Sequence, residues 1–136
     1  MADDHGTDRD LALYRLLTAK ENLEEAEILL RESKYKGANN RAYYAIFHAV
    51  NAAHAVNGKG SKSHREAIGN FNQLYVKTGI FPKEVGRALT KAEKVRTASD
   101  YDDFYVASKK ETVGQLAFAK ELIGMIEVYI NEHDSL

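Results

Sequence analysis

In the stretch from Arg41 to Asn51, which reads RAYYAIFHAVN, the polar side chains recur at positions 41, 44, 48 and 51. At about 100° per residue a helix places Arg41, Tyr44, His48 and Asn51 on one narrow face. Arg41 and His48 are seven positions apart, about 10 Å along a helix axis, so both can reach one phosphate-sized group. An imidazole titrating near neutrality moves protons, and a guanidinium grips a phosphodiester and stabilises charge on its oxygens. This chemistry suits RNA cleavage without a metal: His48 assists attack by a ribose 2′-hydroxyl or protonates the leaving oxygen, and Arg41 holds the phosphate. The same spacing admits a structural reading, in which Arg41 pairs with a carboxylate such as Asp100 and His48 is a hydrogen-bonded core histidine.

The helix that carries this stripe, about Ala38 to Val56, is apolar or aromatic over most of its circumference between Ala42 and Ala53. It should therefore be the central, most buried helix. Burying a guanidinium, an imidazole and an amide costs several kcal/mol unless each is paired or faces a wet cleft, so a cleft or a partner surface is implied. Before it, Thr7 and Asp10 form a capping-box start. Leu16, Ala19, Leu23, Ala26 and Leu30 then line an amphipathic first helix whose outer face carries Lys20, Glu21, Glu24, Glu25 and Glu27. After it come a loop from Asn57 to Ser63, a short helix from His64 to about Tyr75, and a turn at Thr78 and Gly79. Pro82 stands at the expected first position of a fourth helix ending near Ser99. Tyr101 to Val106 read as a linker, and Ser108 with Glu111 as a second capping box. Val113, Leu116, Ala119, Ile123, Ile126 and Ile130 form the apolar stripe of a last long helix. The fold expected is all-α, an up-and-down bundle of four to five helices in a single domain spanning 1–136, with frayed ends at 1–7 and 133–136.

Several residues outside the stripe could support it. Arg96 and Asp100 are four apart, a local pairing distance on a helix, and Asp100 could instead orient Arg41 or His48. Tyr101 reads as core rather than as a stacking platform. Tyr43 and Phe47, beside the stripe, read as core or dimer contact. Lys59, Lys62, His64 and Arg65 cluster near the start of the third helix, where they could attract an RNA or nucleotide phosphate or form a plain solvated loop. The loop is no P-loop, because glycine, lysine and serine do not occur in the required order and no strand precedes it.

With 136 residues the chain suits one core. The absence of cysteine rules out disulfides, thiolate metal sites and a cysteine nucleophile, and suits a reducing cytoplasm. No metal site is expected, since His48, His54 and His64 lack carboxylates at ligand spacing and His5 and His133 fall in the expected frayed ends. No cofactor motif is present. The acidic, polar first ten residues do not read as a secretory signal, and charges interrupt every apolar run before it reaches membrane-spanning length. A net charge of −1 lacks the basic footprint of a duplex-coating protein, so nucleic acid would have to be held locally.

The string Asn40-Arg41-Ala42-Tyr43-Tyr44-Ala45-Ile46-Phe47-His48-Ala49, with Ser63-His64, Phe81-Pro82-Lys83-Glu84 and Arg96-Thr97-Ala98-Ser99-Asp100-Tyr101, resembles the signature of a prokaryotic subfamily of HEPN domains. The resemblance covers nearly everything from the first helix to the last. It implies a dimerising helical bundle with Arg41 and His48 as the active pair, often with ribonuclease activity of toxin type and a small nucleotidyltransferase antitoxin as neighbour. Ala42 follows the arginine where active relatives commonly carry a polar residue. That favours an alternative, a non-catalytic module binding a nucleotide or a partner protein. Val50 stands where members silenced by tyrosine adenylylation carry the tyrosine, so the resemblance does not imply that control.

Overall fold

The computed structural model describes residues 7–61 and 63–134. Its helices are α1 (Asp8–Arg31), α2 (Tyr35–Val56), α3 (His64–Phe71), α4 (Lys83–Tyr101) and α5 (Lys109–Asp134), with a π-helical turn at Asn72–Val76 continuing α3. No strand occurs among the described residues. The capping box at Thr7 is complete: the Asp10 amide donates to Thr7 Oγ1, and the Thr7 amide donates back to Asp10 Oδ2. At Ser108 only half of the expected box forms. The Glu111 amide donates to Ser108 Oγ at 3.0 Å, whereas the Glu111 carboxylate accepts from the Tyr105 hydroxyl. Burial and this acidic partner push the Tyr105 phenol up to about 12.

Contacts at the helix ends fix the topology. Three residues join α1 to α2 as an antiparallel pair. Thr112 at the start of α5 reaches the Tyr35 carbonyl at the start of α2, and Asn57 just past α2 reaches Tyr129 near the end of α5, so α2 and α5 run parallel. Phe81, just ahead of α4, packs on Tyr129 with the rings tilted, and Arg96 near the end of α4 lies over Tyr43. The order is thus up, down, up, down for α1, α2, α4 and α5, with α3 a short insert. Pro82 caps α4 in extended conformation, one residue ahead of the expected position, and α4 begins at Lys83. Gly86 lets α4 lie close on the π turn, because a Cβ there would stand 3.1 Å from Val76 Cγ1.

The core is organised around α2, where Ala45, Ile46, Ala49, Val50, Ala52 and Ala53 are fully buried. Small side chains on α2, matched by Ala12, Ala19 and Ala26 of α1, allow the two helices to approach closely. Two expectations about the core are corrected. Val113 is 44% exposed; Thr112 takes the inward position, its hydroxyl satisfied by the Ser108 carbonyl at 2.8 Å. Tyr101 is 81% exposed rather than core, beside Phe104 and Val106, which are also open to solvent. Residues 1–6, including His5, and residues 135–136 lie outside the described residues. The expected fraying does not extend to Thr7, which caps α1, or to His133, which belongs to α5 and packs on Tyr129 at 5.3 Å.

Candidate functional site

The polar stripe of α2 lies along α1, and its four members have different surroundings. The Arg41 guanidinium is half-exposed and reaches α1 through Asn22 Oδ1 at 3.4 Å and Glu25 Oε1 at 3.8 Å. It also lies over the Tyr44 ring, 5.7 Å from the centroid. Asp100 is not its partner: that carboxylate pairs with Arg96 at 3.4 Å, and no contact joins it to His48 among the described residues. Asn51 is 3% exposed and faces the loop after α2. Its Nδ2 donates to the Ser61 carbonyl at 2.9 Å, and its Oδ1 accepts from the Ser61 amide at 3.4 Å. This stripe residue therefore anchors a loop.

His48 is half-buried and makes no hydrogen bond among the described residues, so it is not the hydrogen-bonded core histidine that the sequence also allowed. It lines an open cleft of about 740 Å³ between α1, α2 and the loop after α2, with Arg15, Thr18, Asn51 and Lys59 around it. Arg41 does not line this cleft. Arg15, which the sequence pattern did not single out, enters it from α1; its guanidinium packs so close to Gly60 that a Cβ there would stand 3.1 Å from Nη1. Burial, and then the Arg15 charge, hold His48 below the ordinary imidazole value of 6.5. A neutral imidazole therefore faces the cleft at pH 7.

The basic groups expected to act together near α3 are divided. Lys59 belongs to the His48 cleft, while His64 and Arg65 line a second one with Arg96 and Tyr101. Lys62 lies outside the described residues. The His64 ring stacks on Phe47 at 3.9 Å and on Tyr43 at 5.3 Å, with its Nδ1 2.9 Å from the Tyr43 hydroxyl. Burial, then Arg96 and His48, lower its pKa, so His64 brings a neutral aromatic surface rather than a charge. Tyr43 and Phe47 are buried beneath it, and Tyr44 packs edge-on to it at 5.8 Å.

His54 belongs to the core. It is 2% exposed, its Nε2 donates to the Ala67 carbonyl at 2.9 Å, and its Nδ1 is buried without a hydrogen-bond partner among the described residues. Burial holds it below 6.5 despite the Ala67 bond, because protonation would put a hydrogen on an Nδ1 that has no acceptor. His48, His54 and His64 are thus all depressed. Above the unfolded imidazole value both states are neutral; as pH falls below it, the unfolded chain takes up protons first and the fold loses stability down to the lower native values. The urea midpoint should fall between about pH 7.5 and about pH 5.5, a window above most carboxylate pKa values. The drop should shrink in His54→Gln. An unchanged midpoint would mean that these imidazoles protonate as easily in the fold as outside it.

Among known proteins, the chain is similar to a UPF0332 protein of Thermotoga maritima, 29% identical over 114 residues, spanning 84% of this chain and 86% of that protein. It is also similar to a candidate toxin of Methanocaldococcus jannaschii, 37% identical over 83 residues, spanning 61% of this chain and 62% of that protein. The fold is similar to the crystal structure of TT1696 from Thermus thermophilus, with a TM-score of 0.71 over 85% of this chain and 95% of that one; at 20% identity the likeness is one of fold. A HEPN domain model matches residues 12–129, from the first turns of α1 through most of α5, and the chain therefore belongs to the HEPN domain family.

Proposed function

We propose that the chain is a metal-independent endoribonuclease of toxin type, with Arg41 and His48 as its active pair. The observation that carries this reading is His48, a neutral imidazole with no hydrogen bond among the described residues, at the wall of a cleft that Arg15, Lys59 and Asp8 also line. Such a group takes the proton of a ribose 2′-hydroxyl as that oxygen attacks phosphorus. The bond to the 5′ oxygen then breaks, that oxygen takes a proton from water, and His48 returns the 2′-hydroxyl proton to solvent. The products are a 2′,3′-cyclic phosphate and a 5′-hydroxyl end. Arg41 holds the phosphate and stabilises its oxygens in the transition state. Tyr44 lies under the guanidinium, Asn51 holds the loop that bears Lys59, and the pair Arg96 and Asp100 backs the aromatic cluster. Purified protein should cleave RNA in the presence of EDTA and leave the cyclic phosphate. Absence of cleavage together with Arg41-dependent nucleotide binding would put a binding module in place of the enzyme. Ala42 supports that second reading, since it is fully buried against the small core cluster and offers Arg41 no polar neighbour.

Arg41 does not line the His48 cleft within one protomer, so the proposed active cleft is composite and the stripes of two copies face each other. Leu11 and Tyr14, 42% and 67% exposed at the rim of the His48 cleft, supply apolar surface for that contact. Light scattering at micromolar concentration should report a homodimer; a monomer would remove the composite cleft. The candidate toxin among the relatives supports a pairing with an antitoxin; its nucleotidyltransferase type rests on the HEPN resemblance alone, and a neighbouring reading frame of that kind would favour it. RNA of the cytoplasm is the substrate in this reading. No described helix is long and apolar enough to cross a membrane.

A further inference from the structure

Four of the basic residues of α4 share one face of the helix. Lys83, Arg87, Lys91 and Lys94 follow one another at spacings of four, four and three, which holds them within about 80° of the helix circumference and spreads them over about 16 Å of its length. All four are exposed, and none pairs with a carboxylate among the described residues. Lys77, at the end of the π turn, faces them across a groove of about 580 Å³ floored by Asn72, Val76 and Gly86, and no carboxylate lines it. In a chain of net charge −1, five cations around one groove, with no carboxylate partner among the described residues, are a strong local concentration.

The groove continues beyond Lys94. Thr90 and Lys94 also line the second cleft, of about 760 Å³, with His64, Arg65, Arg96 and Tyr101. The inner wall of that cleft is the His64 ring, which stacks on Phe47, and Phe47 in turn lines the His48 cleft. Glu93 is the one carboxylate lining that second cleft among the described residues, against Arg65, Lys94 and Arg96, so a predominantly cationic track runs from the open face of α4 to the aromatic cluster beside His48.

We propose that the α4 groove binds the sugar-phosphate backbone of single-stranded RNA and leads the strand toward Arg41 and His48. The destination rests on the ribonuclease reading; the backbone binding does not. Lysine is depleted and aromatic anchors are enriched where proteins dock on proteins, and this groove is rich in lysine and has no aromatic lining. Tyr101, 81% exposed at the far end of the track, offers a face on which a base stacks.

The test is fluorescence anisotropy with a labelled oligouridine of about 16 nucleotides, titrated with full-length His48→Ala so that cleavage does not interfere. Each lost phosphate contact removes about 0.7 from the slope of log affinity against log salt for a single strand. Adding Lys83→Gln, Arg87→Gln, Lys91→Gln and Lys94→Gln should lower the slope by about 3 and weaken binding at least about tenfold near 0.1 M salt. Neutralising Lys34, Lys36, Lys109 and Lys120, none of which lines the groove, makes the same change in net charge and should leave affinity within about twofold. If the fourfold variant fails to fold by circular dichroism, Lys91→Gln with Lys94→Gln should show about half the slope change. Unchanged affinity, an equal loss in the control set, no oligouridine binding at low salt, or binding of polyglutamate as tight as that of RNA would overturn the proposal. Wild-type protein that cleaves no RNA, while the groove variant still loses binding, sinks the nuclease reading and leaves the track standing.

Discussion

Replacing Arg41 or His48 by alanine should lower RNA cleavage by about 100-fold or more in each case, the usual scale for losing a general acid-base or a transition-state charge partner. Both side chains are only partly buried, so neither loss should disturb the fold enough to imitate that effect. Arg41→Lys is the more selective test. It keeps the charge but loses the planar fork that grips two phosphate oxygens, and it should be nearly as damaging as alanine. Asp100→Asn offers the contrast. Its carboxylate pairs with Arg96 across one helical turn and has no contact with the pair among the described residues, so any effect must pass through Arg96 and should be smaller. The depressed His48 pKa sets the pH dependence: a base that stays neutral below its ordinary value of 6.5 keeps kcat/KM level to a pH below that value, and the acid limb appears only there. A rate that survives His48→Ala within a few-fold would sink the catalytic role. Equal loss in Asp100→Asn would mean that positioning by α4 matters as much as the pair.

The helices were legible because each carries its own signals. The box at Thr7, the stripe of α2 and the heptad-like spacing of α5 need only neighbouring residues to be read. What tertiary contact decides was less legible. Val113 was expected inside because hydropathy alone favours it over Thr112, yet a threonine that bonds a carbonyl of its own helix enters a core without an orphan hydroxyl. Asn51 shares the active face by angle, but its amide is committed to Ser61, and only the path of the loop reveals that. Arg15 lies far from the stripe in sequence and meets His48 only once α1 packs on α2. The signal that could have found it is the run of Leu11, Leu13, Tyr14 and Leu17, more apolar surface than the inward stripe of α1 requires. The division of Lys59 from His64 and Arg65 was hidden for the same reason: sequence neighbours at a loop and a helix start can face different clefts.

A carboxylate placed on the inner face of α5 should collapse the fold in a way that loss of His48 does not. Ile123 is 5% exposed, between the fully buried Leu122 and Ile126, in the main core cluster that α5 builds with α1 and α2. Ile123→Asp forfeits about 1.5–3 kcal/mol of apolar burial. It also leaves a charge in the main hydrophobic cluster, at a further cost of several kcal/mol. The sum is comparable with the total stability of a small domain, about 5–15 kcal/mol, so the expected result is loss of most helical circular dichroism and of a cooperative urea transition. Leu116→Asp, at 6% exposed in the smaller cluster with Ala26, Ala38 and Ala42, should behave alike. Val128→Asp, on the same helix but 55% exposed, should stay within about 0.5 kcal/mol of wild type. His48→Ala removes a half-buried ring that makes no hydrogen bond among the described residues, and should retain near wild-type helicity. If His48→Ala instead unfolds the chain as badly as Ile123→Asp, the imidazole is structural, and the cleft beside Arg15 loses the group on which the ribonuclease reading depends.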